Sequence, residues 1–143
     1  MHTRWLATAL VVVACSGASF AAGRATQGAV VGATYASRSG MTIKLLLDRS
    51  TLDTGAVDIG EITFPAGSDS GDHPHGATEI FYVLDGELEH VVNGQSTMLS
   101  PGMVGFVKPP DRVRHKTAVE TKALVIWVPG GEAERIVRNW TRR

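Results

Sequence analysis

The sequence predicts an all-β domain, a barrel or jelly-roll sandwich of short strands. Three observations lead there. Eight or so short apolar or alternating runs lie between residues 42 and 128, each stopped by a turn signal, and none carries a helical period. Glycine is frequent (16 residues) while aromatic residues make up only 6%, a balance that suits a turn-rich sheet better than a helical bundle. The chain has 143 residues, enough for one core and too few for two ordinary domains.

Residues 1–22 read as an export signal. Arg4 supplies the positive start and residues 5–14 form an apolar stretch of about ten, short of the roughly 18 to 20 that a membrane-spanning helix needs. Two processing sites compete. Ser19 and Ala21 present small residues for cleavage after Ala21, whereas Val12-Val13-Ala14-Cys15 resembles a bacterial lipobox, in which Cys15 carries a lipid anchor. Either way the mature protein works outside the cytoplasm, periplasmic or lipid-anchored. Cys15 is the single cysteine, so no intrachain disulfide can form. Residues 23–40, rich in Gly, Ala, Ser and Thr without periodicity, read as a tether.

The β pattern occupies 41–130. Residues 42–47 form one run; 56–64 alternate until Pro65-Ala66-Gly67 breaks them. Runs 79–84 and 87–92 flank Asp85-Gly86, and Asn93-Gly94 leads into 96–99; both dipeptides are hairpin signals. After Ser100-Pro101-Gly102 come 104–107, then 114–119 and 123–128, with no helix expected anywhere between 41 and 128. Pro129-Gly130-Gly131 stops the last strand. Residues 131–143 then read as a short helix and tail, with Glu132 and Glu134 in the first turn and Ile136, Val137 and Trp140 on one face. Its arginines form a solvated face.

Lys plus Arg equals Asp plus Glu at 14 each, and no basic stretch lies inside the domain, which argues against nucleic acid as a partner. The chemistry concentrates in 67–86. His73 and His75 are two apart, so in an extended segment both imidazoles point the same way, and Pro74 between them suits a sheet edge. Glu79 opens the next apolar run. Two imidazoles and a carboxylate on a β scaffold form a ligand set for a divalent metal with open positions, and His115 is the candidate for one more. Phe81 and Val83 should point inward with Glu79, and Phe106 and Trp127 are further core candidates. His90 is expected as a satisfied or partly exposed histidine on the outer face, with a cavity-lining role as the alternative. Asp69 and Asp72 read as solvated loop acids; Lys108, Arg112 and Arg114 either draw an anionic ligand or are plain surface charge.

The spacing Gly67-x5-His73-x-His75-x3-Glu79-x6-Gly86 matches the first motif of the cupin superfamily at every fixed position. The second motif matches in part, at Gly102, Pro110 and His115, with Arg112 in place of an inner glycine and Val119 where asparagine is common. The chain thus resembles small single-domain cupins of the quercetin-dioxygenase-like kind over roughly residues 42–128. That resemblance implies a double-stranded β-helix (the cupin jelly-roll barrel), with His73, His75, Glu79 and His115 as ligands of one divalent transition metal: Fe, Mn, Ni, Cu, Co or Zn. It also implies a small organic, anionic or enolate-forming ligand, Glu79 as the acid–base group, and a homodimer. Two functions follow as expectations: a dioxygenase-like or an isomerase/lyase-like enzyme, or a non-enzymatic metal or small-ligand binding module.

Overall fold

A computed structural model describes residues 32–143. The expected signal over 1–22, Cys15 with it, and the tether over 23–31 lie outside the described residues. In chain order, β1 (Thr34–Ala36) and β2 (Thr42–Leu47) lead to a single helical turn, α1 (Arg49–Leu52). The body follows as β3 (Asp58–Phe64), β4 (His73–Pro74), β5 (Thr78–Asp85), β6 (Leu88–Val92), β7 (Gln95–Leu99), β8 (Val104–Val107), β9 (Arg112–Lys116) and β10 (Thr121–Val128). Helix α2 (Glu132–Asn139) and β11 (Thr141–Arg142) close the chain. A seven-stranded sheet runs β11-β1-β2-β3-β10-β5-β8 and a four-stranded sheet runs β4-β9-β6-β7. Every named pairing is antiparallel. This is the expected all-β jelly roll with a short C-terminal helix.

Alternation decides which face each strand buries. In β3 the residues Asp58, Gly60, Ile62 and Phe64 are inside, and in β10 Thr121, Ala123, Val125 and Trp127 are. In β5 the inward set is Glu79, Phe81 and Val83, as the spacing predicts. Phe64, Phe81, Leu88, Val83 and Val125 meet between the sheets, and burying each such side chain contributes on the order of 1.5–3 kcal/mol. One polar group is buried for a structural reason. Asp58 Oδ2 accepts from the backbone N–H of Gly131 (2.6 Å) and Ala133 (2.9 Å), so a β3 carboxylate caps the start of α2 and fixes where that helix lies.

Several expectations change. Residues 34–36, expected within the tether, form a strand instead: Thr34–Ala36 pairs with both β2 and β11 and buries Tyr35 and Ala36. Asp48 caps α1 by accepting from Ser50 and Thr51, a helical turn the strand pattern did not announce. Asn93-Gly94 does make a two-residue hairpin, with Val92 opposite Gln95. Asp85-Gly86 does not: β5 pairs with β10 and β8, whereas β6 lies in the other sheet, so this turn carries the chain between layers. Gly86 is required there, since its φ is +77° and a Cβ would sit 2.4 Å from the Glu120 carbonyl oxygen. In α2 the buried residues are Ala133 and Ile136, with Trp140 packed against the core at the helix end, while Val137 is exposed. Phe106 is 60% exposed rather than core, because Gly105 and Val107 take the inward side of β8.

Candidate functional site

The four residues singled out by spacing meet inside one pocket. Pro74 places β4 at the edge of the smaller sheet, and the rings of His73 and His75 come together with centroids 4.8 Å apart. His73 Nδ1 lies 2.9 Å from the Gly71 carbonyl oxygen; a carbonyl only accepts, so Nδ1 carries a hydrogen, which in a neutral ring leaves the lone pair on Nε2. Glu79 lies directly opposite Trp127 in the β5–β10 ladder, and the indole Nε1–H donates to Glu79 Oε1 at 2.9 Å. His115 comes from β9, where its backbone N–H donates to Ser70 Oγ (2.9 Å) and its carbonyl accepts from Ser70 N–H (3.0 Å). Those two bonds tie the second motif to the loop of the first.

The polar centre is tight. His75 Nε2 is 3.1 Å and His115 Nε2 is 3.9 Å from Glu79 Oε2. Despite the short separation, His75 Nε2 and Glu79 Oε2 are not aligned as donor and acceptor, and both are buried without any hydrogen-bond partner. Burial works against the charge on His75, but Glu132 (Oε1 to Nδ1, 3.6 Å) and Glu79 outweigh it and hold the imidazole up at about 9. Burial likewise opposes ionisation of Glu79, yet His75, His115 and Trp127 keep its carboxyl below the usual value. His115 goes the other way: burial dominates and pushes it down to about 3, so this ring is neutral.

Sequence reasoning missed two partners. Glu132, read as a helix first-turn acid, reaches the pocket, where burial is outweighed by His75 and Arg135 and its carboxyl falls to about 2. Trp127 was read as core alone. Neither had a local signal, since each meets its partner from more than 45 residues away in sequence. His90 corrects an expectation outright: it is 5% exposed, faces inward and lies across the β6–β9 ladder from His115. Asp69 and Asp72 are exposed as expected, but they are engaged by Arg114 and Arg112 at the surface. Those arginines are therefore ion-paired rather than free to draw a ligand.

The pocket encloses about 480 Å³. Its walls are apolar (Ile43, Ile62, Phe64, Phe81, Trp127, Ile136) and its polar groups are His73, His75, Glu79, His115, Glu132 and Arg135. The donor set suits a divalent ion. Nitrogen and oxygen ligands stand about 2.0–2.2 Å from such an ion, so two ligands of one ion lie within about 4.4 Å of each other, and the 3.1 Å and 3.9 Å separations satisfy that. Both His75 nitrogens and Glu79 Oε2 lack a hydrogen-bond partner, and once His75 gives up its proton, Nε2 and Oε2 offer lone pairs at one point. Among the described residues, however, no three such donors converge into a finished metal cage; they stand in pairs.

Fold and site together define a small two-sheet β-barrel with a half-open, histidine-lined pocket. The chain belongs to the cupin superfamily: the cupin domain family matches residues 60–129. Solved structures agree on the fold. A predicted oxalate decarboxylase from Thermotoga maritima is 21% identical with a TM-score of 0.61, covering 69% of this chain and 93% of the other. An RmlC-like cupin from Shewanella frigidimarina is 20% identical with a TM-score of 0.61, covering 70% and 86%. KdgF from a Halomonas species is 18% identical with a TM-score of 0.58, covering 66% and 84%. No curated protein matches the sequence.

Proposed function

We propose that this cupin is an exported protein that holds one divalent transition metal through His73, His75, Glu79 and His115 and acts on a small organic substrate. One observation carries the reading: His75 Nε2 and Glu79 Oε2 are buried 3.1 Å apart with no hydrogen-bond partner. Leaving two such groups without a hydrogen bond in a protein interior costs on the order of 1–3 kcal/mol each, and a cation that takes the place of the His75 proton answers both. Bound there, a divalent ion supplies Lewis-acid chemistry at a substrate oxygen or, when redox-active, organises O₂.

The chain's own groups divide the remaining work. Trp127 occupies Glu79 Oε1, so Oε2 is the oxygen left to hold a ligand or a proton, and Glu79 is the acid–base candidate. Glu132 and Arg135, paired through Arg135 Nε at 2.6 Å, bring one charge of each sign to the pocket wall. Ile136 of α2 and Trp140 just after it line one side of the pocket with apolar surface. The aromatic walls suit a flat unsaturated carbon skeleton, which favours dioxygenase-like chemistry over an isomerase or lyase.

Oxygen uptake tests this. Fe- or Mn-loaded protein should consume O₂ with aromatic or enolic acids. Turnover with zinc and without O₂ would assign the isomerase or lyase class instead. Metal bound tightly with no turnover of either kind would assign the binding module. Two further parts of the proposal have tests of their own. Cys15→Ser abolishes lipid attachment if the lipobox is used. Phe106→Glu should give monomers if copies pair through the outward face of the larger sheet, where Tyr82, Val104 and Phe106 are 41%, 56% and 60% exposed.

A further inference from the structure

The two imidazoles on the smaller sheet are bonded to each other, and their chemistry fixes how. His90 Nε2 lies 3.1 Å from the backbone oxygen of Phe106, which can only accept, so this nitrogen carries a hydrogen. His90 Nδ1 lies 3.2 Å from His115 Nε2. In a neutral His90 ring Nδ1 is then a lone pair, and His115 Nε2 must be the N–H that donates to it. In a doubly protonated ring the Nδ1–H would cover the His115 lone pair instead. Whichever side the single proton lies on, His115 Nε2 is committed to His90. It is also the nitrogen that stands 3.9 Å from Glu79 Oε2.

The contact is built into the fold. His90 and His115 face each other directly in the β6–β9 register, with ring centroids 5.2 Å apart and planes 29° from parallel. Gly105 makes the room, since a Cβ there would lie 3.1 Å from His90 Cδ2 and 2.4 Å from Leu99 Cδ1. Both histidines are almost fully enclosed, so water does not substitute for either partner.

We propose that His90 is a positioning residue that competes with a divalent metal for Nε2 of His115, so that the site fills only as His115 releases His90. The inference rests on the metal reading above. It explains why the donors stand in pairs: Glu79 and His75 face each other without bonding, while His115 is drawn to its neighbour on the adjacent strand of its own sheet.

Calorimetric titration with Zn²⁺ of the full chain, His90→Leu and His90→Gln tests it. Leucine removes the competitor, whereas glutamine can still donate to the Phe106 carbonyl and accept from His115. His90→Leu should bind Zn²⁺ roughly five- to tenfold more tightly, the worth of one hydrogen bond, and His90→Gln should stay close to the unmodified chain. Equal affinities in all three, or weaker binding in His90→Leu, overturn the competition while leaving the metal reading intact. Zn²⁺ bound by none of them overturns both. Imidazole ¹⁵N spectra of the metal-free chain give a second readout that needs no variant: His115 should show its Nε2 engaged with His90. A free Nε2 lone pair on His115 would end the proposal even if affinities shift.

Discussion

Two buried pairs of polar side chains lie side by side in this barrel and differ in one respect. His75 and Glu79 approach to 3.1 Å, yet neither facing atom has a hydrogen-bond partner. His90 and His115 approach to 3.2 Å and are bonded, with the far nitrogen of His90 bonded in turn to a backbone carbonyl. Burial and separation are nearly matched, although only the first pair holds a carboxylate. What differs is saturation. A buried polar group without a partner marks where something else must bind, whereas a saturated pair must first give something up. On the proposed metal reading, the first pair locates the ion and the second sets how readily it enters.

Substitutions can break that comparison. His75→Ala removes half of the unsaturated pair, and metal affinity should fall by more than about 100-fold with the barrel still folded, measured by titration and circular dichroism. Full occupancy would take His75 out of the ligand set. Trp127→Phe leaves Glu79 in place but strips Oε1 of its donor. The carboxylate then turns freely, so affinity should drop about 10- to 100-fold, and stability by about 1–3 kcal/mol in urea unfolding. Glu132→Gln keeps the shape and removes one of the two charges flanking His75; a loss of about tenfold is expected, at the lower end for a group that only orients a ligand. Asp69→Ala should change neither affinity nor the unfolding midpoint, because its ion pair with Arg114 is solvated at the loop surface. A clear effect there would extend the site to the outer loop.

The convergence of His73, His75 and Glu79 was legible because their relation is local. They fall within seven residues spanning β4, the turn after it and the start of β5, and period-two geometry puts the two histidines on one side. Their supports were not, because Trp127, Glu132 and Asp58 reach their partners only after the chain has crossed between strands or entered α2. His90 and Phe106 show a different limit. Alternation groups Leu88, His90 and Val92 on one face, but it does not say which face is inside. The run Val104-Gly105-Phe106-Val107 offers an apolar residue to each side, and the decision came from Gly105, whose missing side chain admits the His90 ring. The strand at Thr34–Ala36 is too short to show a period and is held by neighbours from both ends of the domain.

The measurement that bears most directly on the metal site is elemental analysis of the full chain, purified without chelator or histidine tag, beside a His73→Ala/His75→Ala variant. Close to one divalent metal per chain, absent from the variant, is the predicted result. No metal in the unmodified chain, even after reconstitution with Fe, Mn, Ni, Cu, Co and Zn, would contradict the account and leave the barrel as a metal-free binder of small molecules.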